Sequence, residues 1–122
     1  MVLTRYEAEK IAKEVFSLNE KIRFAAFTCE NELIFNSMRK DVKSYAPNEA
    51  DEQMGEITIP IASGIFEKFK EYYGEVEYLL IRFKKINLFV IPFSKGLFTM
   101  STEGDYPIEN LIEVKKVLSK IA

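Results

Sequence analysis

The side chains that ordinarily carry chemistry are scarce in this chain, and that scarcity narrows its function. Among 122 residues there is no histidine and one cysteine, Cys29. Without imidazole there is no Ser-His or Cys-His nucleophile pair, no histidine general base and no histidine metal ligand. A single thiol excludes an internal disulfide and a thiolate zinc site within one chain. The five glycines, at 55, 64, 74, 96 and 104, fit neither G-x-x-x-x-G-K-[ST] nor G-x-G-x-x-G, so the standard nucleotide cradles are missing. Asp41, Glu77 and Lys95 are available for acid–base work, but their spacing reveals no pairing, and surface carboxylates are ordinarily just solvated. Arg39, Lys40 and Lys43 form a small basic cluster in the polar stretch 38–47, expected as a solvated loop or a partner contact. An arginine supplied to a bound nucleotide is chemically possible for Arg39, with the solvated loop the plainer reading. The expectation is a protein without catalytic residues, metal or cofactor.

Composition points the same way. A chain of 122 residues, 48% apolar and 30% charged, is one folded domain that needs no covalent staple. A net charge of -2 gives no global attraction to nucleic acid or to an acidic membrane. No apolar run approaches the ~20 residues of a membrane span, and the first ten residues lack the apolar core of a signal peptide. A lone cysteine suits a reducing compartment, so a cytoplasmic protein is expected. Cys29, flanked by Thr28, Glu30 and Asn31, reads as an inert residue at a hairpin turn.

The elements follow from hydrophobic periodicity. Thr4 and Glu7 fit a capping box, and Ala8, Ile11, Ala12, Val15 and Phe16 share one stripe, which predicts helix 1 over 5–18. Strands are expected over 22–28 and 33–36, joined at Cys29–Glu32 as a hairpin. Glu75–Ser101 reads as three further strands, over 76–83, 88–93 and 97–101. Tyr78–Ile81 and Leu88–Ile91 are apolar on both sides of the pleat, so the sheet must be covered on both faces. Helix 3 is expected from Pro107 to Ile121, with Asp105 or Tyr106 as its cap.

Helix 2 carries the most information. Met54, Ile57, Ile61, Ile65, Phe69 and Tyr72 keep helical spacing straight through Pro60, which predicts one helix over 49–73, kinked at the proline, with Gly74 ending it. Its apolar residues, which also include Ile59, Ala62, Phe66 and Tyr73, fill an arc of roughly 200° at about 100° per residue. Covering one sheet face needs an arc of little more than ~100°. Helix 2 therefore has apolar surface to spare, with Lys68 inside the arc and its stem free to lie flat.

The order α-β-β-α-β-β-β-α, the size, and the passage from helix 2 through Gly74 into strand 3 (FEKFKEYYGEVEYLLIRF) resemble the Roadblock / dynein light-chain-type domain, in an archaeal or bacterial form. The resemblance implies an α+β three-layer sandwich. Its five-stranded antiparallel sheet would have the order 2-1-5-4-3, with helices 1 and 3 on one face and helix 2 on the other. It also implies a homodimer, or a heterodimer with a similar chain, through helix 2 and strand 3. The interface candidates it carries over are Ile57, Ile61, Ile65, Lys68, Glu77 and Leu79. Such dimers scaffold or regulate small Ras-like GTPases, so the resemblance adds a GTPase as a second partner. The dimer agrees independently with the surplus arc of helix 2; the GTPase rests on fold analogy alone. The alternative reading is a small-molecule sensor of PAS-like or profilin-like type, with Phe24, Phe27, Tyr78, Phe89 and Phe98 lining a pocket.

Overall fold

The computed structural model describes residues 3–40, 42 and 48–121, with the side chains of 48–52 outside the description. Asp41 and Lys43 also lie outside the described residues. The elements in chain order are α1 (Arg5–Leu18), β1 (Ile22–Cys29), β2 (Glu32–Met38), α2 (Asn48–Tyr73), β3 (Leu79–Arg82), β4 (Ile86–Phe93), β5 (Gly96–Glu103), a 3₁₀ turn (Ile108–Asn110) and α3 (Leu111–Leu118). The strands form one antiparallel sheet of order β2-β1-β5-β4-β3, as the resemblance implies.

Strand alternation divides the core in two. Phe27, Phe89, Ile91, Phe98 and Met100 point to the side where α1 packs Ala8, Ile11, Ala12 and Val15 and α3 packs Leu111, Val114, Val117 and Leu118. Val90 and Leu97 point to the opposite side and meet Ile59, Ala62 and Phe66 of α2. The result is the expected three-layer sandwich. Phe27, Phe89 and Phe98 are fully buried, and the Phe27 and Phe98 rings lie 4.9 Å apart. Of the aromatics read as pocket candidates, Phe27, Phe89 and Phe98 thus fill the first core, while Phe24 is half-buried and Tyr78 exposed.

Local chemistry explains the element ends. The Thr4–Glu7 capping box is complete: Glu7 N–H donates to Thr4 Oγ1 at 3.1 Å, and Thr4 N–H donates to Glu7 Oε1 at 3.1 Å. Glu30 and Asn31 hold φ of 52° and 65°, the left-handed pair that a two-residue hairpin demands. Gly96 permits a close approach: a Cβ there would stand 2.1 Å from the Thr28 carbonyl oxygen. α2 runs unbroken through Pro60, which is exposed beside Glu56 and Glu67 on the polar side.

Three expectations need correction. β3 begins at Leu79 rather than 76, because Glu75–Tyr78 stay outside the β4 ladder, whose pairing with β3 ends at Leu79 opposite Val90. Neither Asp105 nor Tyr106 caps α3. Pro107 precedes a single 3₁₀ turn with no side-chain cap, and α3 proper starts at Leu111 and ends at Leu118. Cys29 is the last residue of β1, and its side chain is buried in the larger core rather than lying in the turn.

Candidate functional site

Several of the residues able to do chemistry have structural roles. Burial pushes the Cys29 thiol pKa up, away from the thiolate a nucleophile needs. The Arg39 guanidinium caps backbone carbonyls: Nε donates to the Ile22 oxygen at 2.6 Å, and Nη2 donates to the oxygens of Asn19, at 2.7 Å, and Phe16. Its Cζ also lies 5.2 Å from the Phe16 ring centroid. Arg23, buried on β1, pairs with Glu103 at 2.7 Å, and Lys21 pairs with Asp105 at 2.8 Å. Lys40 is exposed beside Arg39. Among the described residues no group of three His, Cys, Asp or Glu side chains is placed to hold a metal. No described helix is long and apolar enough to cross a membrane.

What the fold leaves open is the outer face of α2. At about 100° per residue, the residues seated on the sheet (Ile59, Ala62, Phe66) and the stripe Ile57, Ile61, Ile65 are centred roughly 130° apart. The first set is buried. The second is 64%, 56% and 43% exposed, respectively. Phe69, Tyr72 and Tyr73 extend the stripe to the end of the helix, with the Phe69 and Tyr73 rings stacked at 6.2 Å. Lys68 is exposed within it, its ammonium 5.7 Å from the Phe69 ring centroid. The surplus arc read from the sequence is therefore an exposed apolar stripe.

β3 is an edge strand of the sheet. Leu79 is half-buried, packing inward on the cluster of Ile59, Ala62, Phe66 and Val90. Glu77 is exposed in the connection leading to β3. Phe83, just past β3, is 44% exposed, and strand alternation puts it on the α2 side with Leu79 and Ile81. Sequence reasoning passed over Phe83, although the period-2 run 79, 81, 83 signals it. Ile57, Ile61, Ile65 and Lys68 thus share one exposed helix face, while Leu79 packs on the sheet-facing flank of α2 and Glu77 is exposed in the connection to β3. Arg39 and Lys40 sit elsewhere, at the end of β2.

Exposed apolar surface of this kind is what association buries. No protein-family model and no curated protein matches the chain. Solved structures do. The chain is similar to MglB in a tetrameric arrangement, at 12% identity and TM-score 0.73, over 100% of this chain and 92% of that one. It is also similar to the gliding protein MglB of Thermus thermophilus, at 13% identity and TM-score 0.69, over 100% and 95% of the two chains. A Roadblock/LC7 domain from Streptomyces avermitilis matches at 11% identity and TM-score 0.59, over 86% and 88%. The strand order, the helix on each side of the sheet and these likenesses together establish that the chain has the Roadblock/LC7 fold.

Proposed function

We propose that this chain is a non-enzymatic interaction module that self-associates through α2 and β3 and, as a dimer, engages a small Ras-like GTPase. The observation that carries the self-association is the stripe Ile57, Ile61, Ile65, 64%, 56% and 43% exposed on a helix whose other flank is already buried on its own sheet. Covering the exposed part of each isoleucine is worth about 1 kcal/mol, and a two-fold interface counts each twice, so this stripe alone offers about 6 kcal/mol before the costs of association. Lys68, Glu77 and Leu79 would complete the surface, and the tetrameric arrangement of one structural relative supports association on this fold. A similar chain in place of the second copy would use the same surface. The single, buried cysteine fits a cytoplasmic setting.

The GTPase part rests on the Roadblock fold and its likeness to MglB. It is tested by mixing the chain with purified small Ras-like GTPases loaded with GDP or a GTP analogue, and following co-elution and the rate of GTP hydrolysis. A nucleotide-dependent complex, lost when Ile61 becomes aspartate, supports it. No complex with either nucleotide state across the panel refutes it and leaves the self-association to stand on its own test.

A further inference from the structure

A half-open cleft of about 260 Å³ lies between α3 and the end of β4, on the face of the sheet opposite α2. It sits where neighbouring elements stop: the β3–β4 pairing ends at Leu79 opposite Val90, and α3 ends at Leu118. Ile91, Phe93, Leu118 and Ile121 give it apolar walls, and Ser94, Lys115 and Ser119 are its polar lining. Most of that polar capacity is already used. Ser94 Oγ donates to the Ile121 carbonyl oxygen at 3.1 Å, and Ser119 Oγ donates to the Lys116 carbonyl oxygen at 2.6 Å. The carbonyls of Lys115, Val117 and Leu118 accept the amides of Ser119, Lys120 and Ile121, so the negative end of α3 is satisfied within the chain. The lysines of α3 differ from one another. Lys116 pairs with Glu113 at 3.7 Å, and Lys120, just past the helix, pairs with Glu14 at 2.8 Å. Lys115 is half-buried and has no ion pair or side-chain hydrogen bond among the described residues.

We propose that this cleft binds a short-chain carboxylate, its alkyl chain on the apolar walls and its carboxylate on the Lys115 ammonium. The side chains of the cleft have one unspent polar group, a cation that only donates. A carboxylate only accepts, and the charge-assisted bond between the two is stronger than a neutral one. An alcohol would forgo that gain, and an amine would face a like charge. Size sets the chain length: at about 30 Å³ per water-sized group the cleft holds about eight or nine non-hydrogen atoms, which is the size of hexanoate. A ligand this small binds with a Kd on the order of 1 mM. The site lies across the sheet from the α2 stripe, so it does not require the self-association proposed above.

The test titrates sodium hexanoate into the full chain, labelled with nitrogen-15, in about 0.05 M NaCl, and follows the backbone amide shifts. Hexanol and hexylamine are the controls. Hexanoate should give saturable shifts confined to Ile91, Phe93, Ser94 and the end of α3, hexanol should bind about tenfold more weakly, and hexylamine should not saturate. Lys115→Met keeps the apolar stem and removes the charge; it should weaken hexanoate about tenfold and leave hexanol unchanged. Lys115→Glu should reverse the preference toward hexylamine. The same amide spectra show whether each variant is folded. Should one fail to fold, wild-type binding in about 0.5 M NaCl is the readout, and the higher salt should weaken hexanoate but not hexanol. Hexanoate shifts that do not saturate, or that gather on the α2 stripe instead of the cleft, overturn the inference. So does hexanoate binding no tighter than hexanol and indifferent to Lys115→Met and to salt.

Discussion

Replacing Arg39 by alanine should remove about 3 kcal/mol of stability. Its guanidinium binds three carbonyls, of Phe16, Asn19 and Ile22. The Phe16 carbonyl belongs to the last turn of α1, where carbonyls lack intrahelical partners, and that turn contains no basic residue of its own. Arg39, at the end of β2, therefore supplies the C-terminal charge that α1 lacks. Hydrogen bonds to a charged group contribute about 1.5–3 kcal/mol each when taken singly. Three on one half-buried group are not additive, and the freed carbonyls regain water, so about 1 kcal/mol each is the working figure. In a domain of this size 1 kcal/mol moves the melting temperature by about 4 °C, which predicts a fall of about 12 °C. Arg39→Lys keeps the charge but not the planar fork, and should retain only about a third of the contribution. Thermal unfolding followed by circular dichroism measures both. An alanine variant melting within about 3 °C of wild type would refute the capping role, and a lysine variant equal to wild type would show that charge alone suffices.

Other outcomes follow from the same structure. Gly96→Ala places a Cβ 2.1 Å from the Thr28 carbonyl oxygen, backbone that cannot swing aside, so it should destabilise by about 3 kcal/mol in chemical denaturation. Pro60→Ala returns an amide hydrogen to α2 opposite the Glu56 carbonyl and should raise stability by about 1–3 kcal/mol, read as a higher denaturant midpoint. Tyr106 is buried, which pushes its pKa up to about 12. An unfolded tyrosine ionises near ~10, so between these values the unfolded state binds fewer protons, and stability must fall as pH rises through that window. Ultraviolet titration should show a late tyrosine ionisation, and Tyr106→Phe should abolish that step.

Much of this architecture was legible in the residues. The outward stripe of α2 could be read because helical phase is local: Ile57, Ile61 and Ile65 repeat every four residues, while Ile59, Ala62 and Phe66 fall on another flank. The continuity of α2 through Pro60 was also readable, since the proline falls in phase with Glu56 and Glu67, where a freed carbonyl meets water. What could not be read depends on neighbours distant in sequence. Arg39 looked like a loop cation because its acceptors lie 17 to 23 positions earlier in the chain. Strand 3 looked longer than it is because Val76 and Tyr78 continue the apolar pattern, yet its length is set by where the β4 ladder ends. The buried Cys29 and the 3₁₀ turn after Pro107 likewise follow from packing rather than from local propensity. The apolar candidates Ile57, Ile61 and Ile65 were indicated by type and phase; their exposure follows from which flank of α2 the sheet occupies.

The central claim is that the exposed face of α2 is covered by a second copy of this chain. Light scattering on wild type and Ile61→Asp at micromolar concentration tests it most directly. Ile61 is more than half exposed and makes no part of either buried core, so its replacement leaves the monomer folded. The account predicts a wild-type mass of about twice the 14.2 kDa chain, falling to a folded monomer in the variant with a loss of affinity of about a hundredfold or more. A wild-type chain that remains at 14.2 kDa, or a variant that associates as well as wild type, would contradict it.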